Sequence, residues 1–237
     1  MMRKLLSVLD IYAGYNKRSV LQSIFLDVYQ NDIILLMGPN GCGKTTLLKV
    51  IVGAIQPFSG EIIFRDKNIL CLPVHLRVRE GIGYLMQTNN IFPSLTVKEN
   101  LRLSFRNKKK SYEESLEWAL EIFSILKDKL LHRAGLLSGG ERQFLAIAMI
   151  LMQPVSLLIL DEPTAGLSPK AADKILSTLH KVHETIGLTS IIVEHNTNFL
   201  HQWVTRVLVM NQGRVVAEEK DSSILYDHDR LERYYFK

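Results

Sequence analysis

The sequence predicts an α/β fold in which a core of parallel strands is accompanied by an antiparallel β layer and an inserted helical lobe. Two short runs, 33–37 and 155–160, are predominantly apolar, which is typical of strands buried on both faces of a parallel sheet. Apolar and polar residues alternate in 5–12 and 24–28, a pattern of half-buried antiparallel strands. Between the two apolar runs, 95–131 has amphipathic helical periodicity.

The first half of the chain contains most of the predicted strands. Asn31-Asp32 is a plausible turn into the strand 33–37, and a helix follows at 45–52. Breaks are expected at 57–60 and a turn at 66–68. The predicted strands of this half are 5–12, 24–28, 33–37, 61–64 and 82–86.

The second half combines the helical lobe, expected at approximately 88–153, with the end of the sheet. Ser138 is a candidate N-cap for a helix that reaches about Met152, and Pro169 opens another helix that ends at Gly187. The remaining predicted elements are a strand at 155–160, a strand at 190–193, a hairpin over 207–217 and a short helix from 222. With no internal repeat, 1–237 is expected to form a single domain.

Composition excludes several classes of protein. Apolar residues make up 47% and charged residues 22%, an ordinary globular balance, and no apolar run approaches a membrane span of roughly 18 residues. The N-terminus lacks a signal-peptide pattern, and Cys42 and Cys71 are too few for a disulfide framework, so a cytoplasmic location is expected. The net charge of +5 is mild and dispersed, which indicates no nucleic-acid partner.

A glycine-rich segment between the strand 33–37 and the helix 45–52 has the phosphate-binding pattern G-x-x-x-x-G-K-[ST]. Its glycines allow successive backbone N–H groups to point at phosphate oxygens, Lys44 can reach the β- and γ-phosphates, and the Thr45 hydroxyl can ligate Mg²⁺. The alternative is a plain glycine turn. The residues predicted to bind ATP here are Gly38, Pro39, Asn40, Gly41, Cys42, Gly43, Lys44, Thr45 and Thr46.

Two acids, Asp161 and Glu162, follow the apolar strand 155–160, which is a Walker B pattern. Ligands of open α/β sheets bind at the carboxyl ends of strands. Asp161 is therefore a candidate for the Mg²⁺ shell, and Glu162 is a candidate base that takes a proton from an attacking water. The alternative is a surface acid pair at the end of a strand.

A second candidate anion site lies at the start of the helix that follows 137. A serine and two glycines ahead of a helix can present N–H groups to a phosphate, although a helix cap with a flexible approach is the alternative. The predicted residues are Ser138, Gly139, Gly140 and Glu141. In their order between the phosphate loop and the Walker B strand, residues 137–143 resemble the signature of ATP-binding-cassette (ABC) ATPases.

This resemblance covers nearly the whole chain and implies further roles. By it, Tyr15 stacks on adenine, Gln87 contacts Mg²⁺ and the attacking water, His195 contacts the γ-phosphate, and 165–168 is the D-loop. Without the family, a single Tyr or His would more often be part of the packing. Ser168 replaces the aspartate that most of the family carries, which leaves open how the two ATP sites communicate.

The resemblance also implies partners. The family pairs two cassettes head to tail, with each ATP between the phosphate loop of one subunit and the signature of the other, and docks them on transmembrane permease subunits at the inner face of the membrane. Residues 77–84, 91–100 and 166–169 look like those of importers of branched-chain amino acids and related amides or urea. A lipopolysaccharide-exporting branch is similar. Alternatives are a soluble ABC ATPase acting on DNA or ribosomes and an inactive binding module.

Overall fold

The computed structural model describes residues 3–88, 90–107, 109–195, 200–220 and 222–235. Within these ranges it contains ten strands and seven α-helices. The strands are β1 Lys4–Tyr15, β2 Arg18–Tyr29, β3 Ile33–Met37, β4 Ser59–Phe64, β5 Lys67–Asn68, β6 Ile82–Leu85, β7 Leu157–Asp161, β8 Thr189–Val193, β9 Arg206–Asn211 and β10 Arg214–Glu219. The helices are α1 Lys44–Ile51, α2 Val74–Glu80, α3 Val97–Ser104, α4 Tyr112–Ile122, α5 Gly139–Leu151, α6 Pro169–Ile186 and α7 His228–Tyr235.

The strands form two sheets. A six-stranded sheet has the order β10-β9-β3-β8-β7-β6, and its strands are parallel except for the antiparallel hairpin β9–β10. A four-stranded antiparallel sheet has the order β2-β1-β4-β5. The predicted α/β class, with a parallel core and a separate antiparallel layer, is therefore confirmed.

The central strands of the six-stranded sheet are buried on both faces because alternate side chains enter two different cores. In β3, Ile33 and Leu35 pack with α5 and α6, whereas Ile34 and Leu36 pack with α1 and the four-stranded sheet. A strand covered on both sides needs apolar residues at every position, which explains the unbroken run 33–37. Helix α1 consequently lies between the two sheets.

The helices α3, α4, α5 and α6 begin at residues whose side chains cap them. Thr96, Ser111 and Ser138 each accept a hydrogen bond from the third residue of their helix, and the glutamate at that position reaches back to the cap residue. Ser168 caps α6, whose first residue is Pro169. The predicted starts of α5 and α6 are thus confirmed, and α3, α4 and α5 fall inside the span 88–153; the division into a separate lobe stays a prediction. None of the helices described is both long and apolar enough to cross a lipid bilayer.

Several local predictions were wrong. The break expected to last through 57–60 ends at Ser59, where β4 begins, because Gly60 (φ 103°) lets the chain run against the carbonyls of Leu9 and Asp10. The turn expected at 66–68 lies one residue earlier, and Lys67 and Asn68 pair as β5. The strand expected from 155 begins at Leu157. The C-terminal helix is two elements, a 3₁₀ turn Ser222–Tyr226 and α7.

Helix α2 was not predicted, and it carries an unexpected buried charge. Arg77 is 0% exposed and donates to four backbone carbonyls, with no carboxylate among these partners. Its Nη1 atom lies 2.8 Å from the carbonyl oxygens of both Val50 and Ile51, the last residues of α1. These carbonyls have no partner within the helix and form its negative end. Burial lowers the pKa of Arg77, yet a guanidinium remains protonated in proteins.

We expect Arg77→Met to destabilise the chain by about 3 kcal/mol, because four carbonyls lose a charged donor while the volume of the side chain is largely kept. Arg79→Met is the matched control, since Arg79 lies on the same helix but is exposed, and its effect should be within about 0.5 kcal/mol. Urea denaturation of the three proteins measures the difference. Equal stability of the two variants would contradict a stabilising role for Arg77.

Candidate functional site

The candidate site lies at one edge of the six-stranded sheet. Because β3, β8 and β7 are parallel neighbours, their carboxyl ends lie side by side. The phosphate-binding loop 38–46 follows β3, Glu194 and His195 follow β8, and Glu162 follows β7. Gln87 lies two residues beyond β6, the next strand. The sheet order thus brings together residues that are more than 100 positions apart in the sequence.

In the loop 38–46, three glycines have backbone angles that favour glycine. Gly38, Gly41 and Gly43 have φ angles of 149°, 80° and 108°. A Cβ at Gly38 would lie 2.2 Å from the Met210 carbonyl oxygen, whereas a Cβ at Gly41 would meet nothing within 4 Å. Packing therefore requires the first glycine, and the space beside Gly41 is open to a ligand.

Lys44 is 7% exposed, and its ammonium donates to the carbonyl oxygens of Gly38 and Pro39 at 2.7 and 3.1 Å. The ammonium therefore lies inside the curve of the loop, where a phosphate would need a positive charge. Cys42 is buried in the same loop, and burial raises the pKa of its thiol against the opposing charge of Lys44.

Asp161 is 2% exposed at the end of β7 and accepts two side-chain hydrogen bonds. Thr45 Oγ1 donates to Oδ1 at 3.2 Å, and the Tyr84 hydroxyl donates to Oδ2 at 3.4 Å. Burial raises the pKa of Asp161, and the bond from Thr45 opposes that shift. Burial likewise raises the pKa of Tyr84, so its phenol remains a donor. The structure thus brings two of the three predicted Mg²⁺ ligands, Thr45 and Asp161, into contact, whereas the third, Gln87, is bonded to Glu162.

Glu162 has an uncommon backbone conformation and two side-chain partners. Its φ of 51° is left-handed, a region that non-glycine residues seldom occupy and that clusters at functional sites. Gln87 Nε2 donates to Oε2 at 2.9 Å, and His195 Nε2 lies 3.3 Å from Oε1. The structure therefore joins three predicted catalytic residues in one group around a carboxylate.

Residues to which the sequence interpretation gave no role support this group. Glu194 is 5% exposed and accepts hydrogen bonds from Thr164 and from the backbone N–H of His195. Gln143 of α5 donates to the Pro163 carbonyl at 2.8 Å. In the sequence, Thr164 and Glu194 lie close to Glu162 and His195, and Gln143 lies in the segment 137–143. Which groups they contact depends on the tertiary fold.

The segment 138–141 forms the start of α5, and its Gly139 lines one cavity together with Gln87. Ser138 and Glu141 form the capping box, and Lys129 lies 2.5 Å from Glu141 and lowers its pKa. A Cβ on Gly139 would lie 3.1 Å from Leu167, so this helix start packs closely against 165–168. Among the described residues, no hydrogen bond joins 138–141 to the loop 38–46. Within one chain the two candidate anion sites are therefore not directly connected by such a bond.

The donor set fits a hard divalent cation bound together with phosphate. The Thr45 hydroxyl and the Asp161 carboxylate, which are in contact, both offer oxygen atoms. Mg²⁺ prefers oxygen ligands and keeps phosphate and water in its shell. Across the part of the chain that the structure describes, no group of three or more His, Cys, Asp or Glu residues could hold a metal by itself.

Two further predicted positions are Tyr15 and Ser168. Tyr15 ends β1 with 47% of its surface exposed, so its ring face is accessible to a stacking partner. Ser168, in the place of an aspartate, is the N-cap of α6. Separately, a cavity of about 800 Å³ lined by Lys4, Tyr29, Arg206 and Glu218 contains none of the predicted site residues.

Comparison with known proteins agrees with this geometry. The family model described as ABC transporter matches residues 21–165. The chain is 36% identical over 97% of its length to a probable branched-chain amino acid transport ATP-binding protein, LivF, of Archaeoglobus fulgidus, and covers 97% of that protein. It is 34% identical over 93% of its length to the high-affinity branched-chain amino acid transport ATP-binding protein BraG of Pseudomonas aeruginosa, of which it covers 95%.

The chain is also similar to a subunit of an export system and to cassettes whose structures have been solved. The lipopolysaccharide export system ATP-binding protein LptB of Haemophilus influenzae is 32% identical over 98% of this chain, which covers 96% of LptB. Among solved structures, a nucleotide-free ATP-binding cassette from an ABC transporter is 28% identical, with a TM-score of 0.84 and 98% of each chain covered. A dimeric cassette bound to ADP and phosphate is 26% identical, with a TM-score of 0.79, covering 91% of this chain and 98% of that one.

Proposed function

The chain belongs to the ABC transporter family as an ATP-binding, ATP-hydrolysing subunit, and we propose that it powers the import of branched-chain amino acids, or of a related amide or urea, through separate permease subunits. The observation that carries the ATPase part is the Glu162 carboxylate, which Gln87 and His195 contact at 2.9 and 3.3 Å beside the phosphate-binding loop. The names of the relatives LivF and BraG support the substrate class.

In this proposal ATP hydrolysis is an in-line attack of water on the γ-phosphorus. Glu162 accepts the proton of the water, the bond to the bridging oxygen breaks, and ADP leaves with that oxygen. Lys44 and His195 stabilise the charge that develops on the phosphate oxygens. Gln87, through its bond to Glu162, orients the carboxylate toward the water.

Thr45, Asp161 and Gln87 are proposed as the residues on the Mg²⁺ side of the site. When bound, Mg²⁺ would neutralise the charge on the β- and γ-phosphate oxygens. The Tyr84 hydroxyl holds one oxygen of Asp161 at 3.4 Å and leaves the other facing Thr45. Tyr15 is proposed as the adenine stacking partner, and the P-loop residues 38–46 as the phosphate cradle.

We further propose a head-to-tail dimer with two composite sites. The chain has two separate helix starts suited to phosphate, at Lys44 and at Ser138, and one ATP needs only one of them. Each ATP would lie between the loop 38–46 of one subunit and the segment 138–141 of its partner. The dimeric relative bound to ADP and phosphate supports this arrangement.

The proposed location is the cytoplasmic face of the cell membrane, with membrane contact only through the permease and with no nucleic-acid partner. An exporter of lipopolysaccharide is the second candidate, favoured by the 32% identity to LptB. Both candidates share the same ATPase chemistry, because the transported molecule contacts the permease rather than this subunit.

Glu162→Gln should keep ATP binding and lose hydrolysis by about 10²–10⁴-fold, because glutamine keeps the shape but cannot take the proton. With saturating ATP, the variant should also form a stable dimer, since bound ATP is not consumed. Phosphate release and size-exclusion chromatography measure the two effects. Wild-type turnover in this variant would overturn the assignment of Glu162 as the base.

Mixing Lys44→Ala with Ser138→Arg should restore ATPase activity, although each variant alone is inactive. A mixed dimer contains one site with both defects and one site with neither. Activity should rise more than linearly with total protein concentration, as a dimer requires. If both variants fold, as judged by circular dichroism, and the mixture stays inactive, the composite-site model for identical subunits is wrong.

Deletion of the gene in its source organism should abolish uptake of radiolabelled leucine, isoleucine or valine, and the wild-type chain should restore it. The Glu162→Gln variant, expressed to the same level, is the matched control and should fail to restore uptake. If uptake of amino acids and urea is unchanged while lipopolysaccharide disappears from the cell surface, the export candidate replaces the import proposal.

A further inference from the structure

Glu194 is a buried carboxylate for which the proposed mechanism has no use. It lies directly after β8, is 5% exposed, and forms no ion pair in the described part of the chain. Its Oε1 accepts from the backbone N–H of Thr164 at 2.8 Å and from the Thr164 hydroxyl at 2.6 Å. Its Oε2 accepts from the backbone N–H of His195 at 3.1 Å. Burial of an unpaired carboxylate is costly, so its three donors must offset that cost.

The position of these bonds is significant because backbone pairing between β7 and β8 stops there. Asp161 and Val193 are the last paired residues of the two strands, and the Glu162 N–H still reaches the Val193 carbonyl at 3.0 Å. Beyond that point the side chain of Glu194 continues the connection to Thr164. The two chain segments that carry Glu162 and His195 are thus joined by one carboxylate.

Glu162 needs such support. Its left-handed backbone costs of order 1–3 kcal/mol and persists only where the surroundings enforce it. The Glu162 N–H donates to the Val193 carbonyl, which holds this residue against the end of β8. Two residues later, the Thr164 N–H donates to the Glu194 carboxylate, which holds the chain a second time. The second oxygen of the Glu194 carboxylate accepts from the backbone N–H of His195, and this bond fixes the position of the His195 backbone.

We propose that Glu194, with Thr164 and the His195 N–H, forms a clamp that positions the His195 imidazole against Glu162. Glu194 is a positioning residue that acts through His195, to whose backbone N–H it is bonded. The clamp rests on the proposed function, since it matters for turnover only if Glu162 and His195 do the chemistry. It also ties β8 to the segment 164–168, so a movement of either one is transmitted to the other.

Glu194→Gln tests the clamp with a minimal change of shape. A carboxamide oxygen can accept from Thr164 or from the His195 N–H, while its NH₂ group opposes the remaining donor. We expect kcat to fall by about 10–10²-fold, the effect of a small misplacement of a catalytic group. The Kd for a fluorescent ATP analogue should change by less than about twofold, because the loop 38–46 is untouched.

A double-mutant cycle with His195→Ala identifies the route of the effect. If Glu194 acts through the imidazole, Glu194→Gln should lower the single-turnover rate no further once that imidazole is gone. A merely structural role would lower the rate by the same factor in both backgrounds. That second result would overturn the proposal.

Threonine variants keep the proposal testable if Glu194→Gln fails to fold. Thr164→Val removes the hydroxyl donor and should lower kcat by about 10-fold, whereas Thr164→Ser keeps the donor and should turn over like the wild type. Thr189→Val is the matched control: Thr189 is 2% exposed at the other end of β8, and its hydroxyl accepts from the Asn31 N–H at 3.0 Å. It should lose stability but not kcat.

The outcomes distinguish a failure of the proposed catalytic roles from a failure of the clamp alone. Wild-type turnover in Glu162→Gln would remove the proposed role of Glu162 as the base, and the clamp with it. An inactive Glu162→Gln variant combined with normal turnover in Glu194→Gln and Thr164→Val would remove the clamp alone. An equal loss of kcat in Thr164→Val and Thr189→Val would also remove it, because the loss would then follow stability rather than position.

Discussion

The parallel pairing of β3, β8 and β7 is the constraint on which the site depends. Leu36 pairs with Val193, and Val193 pairs with Asp161, so the three strands end in register at one sheet edge. Parallel strands place their carboxyl ends together, and ligands of open α/β sheets bind there. A slip of one residue between β3 and β8, or between β8 and β7, would move the loop 38–46, Glu162 and His195 apart. It would also exchange the two buried faces of the shifted strand.

Buried charges then stabilise the elements at that edge. Arg77 satisfies the last carbonyls of α1, the helix that begins at Lys44. Glu194 satisfies donors in the turns that follow β7 and β8. Each charge is paired with several backbone dipoles rather than with an opposite charge. Such networks are costly when incomplete and rigid when complete, which suits a site whose groups must be oriented before the reaction.

The second anion site has a different relation to the sheet. Ser138 starts α5, which packs on the face opposite to α1, and Gly139 lies against Leu167 of the segment 165–168. The proposed signature and the segment 165–168 are therefore in contact, and Thr164 of the proposed clamp lies next to them in the chain. In a head-to-tail dimer, these two segments would face the partner's ATP. Contact between subunits would then reach Glu162 and His195 through a short, hydrogen-bonded path.

The sequence by itself determined the local features of this protein: the strand 33–37, the glycine loop, the cap at Ser138, the helix from Pro169 to Gly187, and the two acids at the end of the strand β7. Each depends on neighbours within a few residues, on periodicity or on backbone freedom, which a sequence displays directly. Tertiary structure alone decided the burial of Arg77, the left-handed Glu162 and the bonds of Glu194 to Thr164 and His195. Those features arise from contacts between elements that only the tertiary fold brings together, and no local pattern records which partners a buried charge will meet.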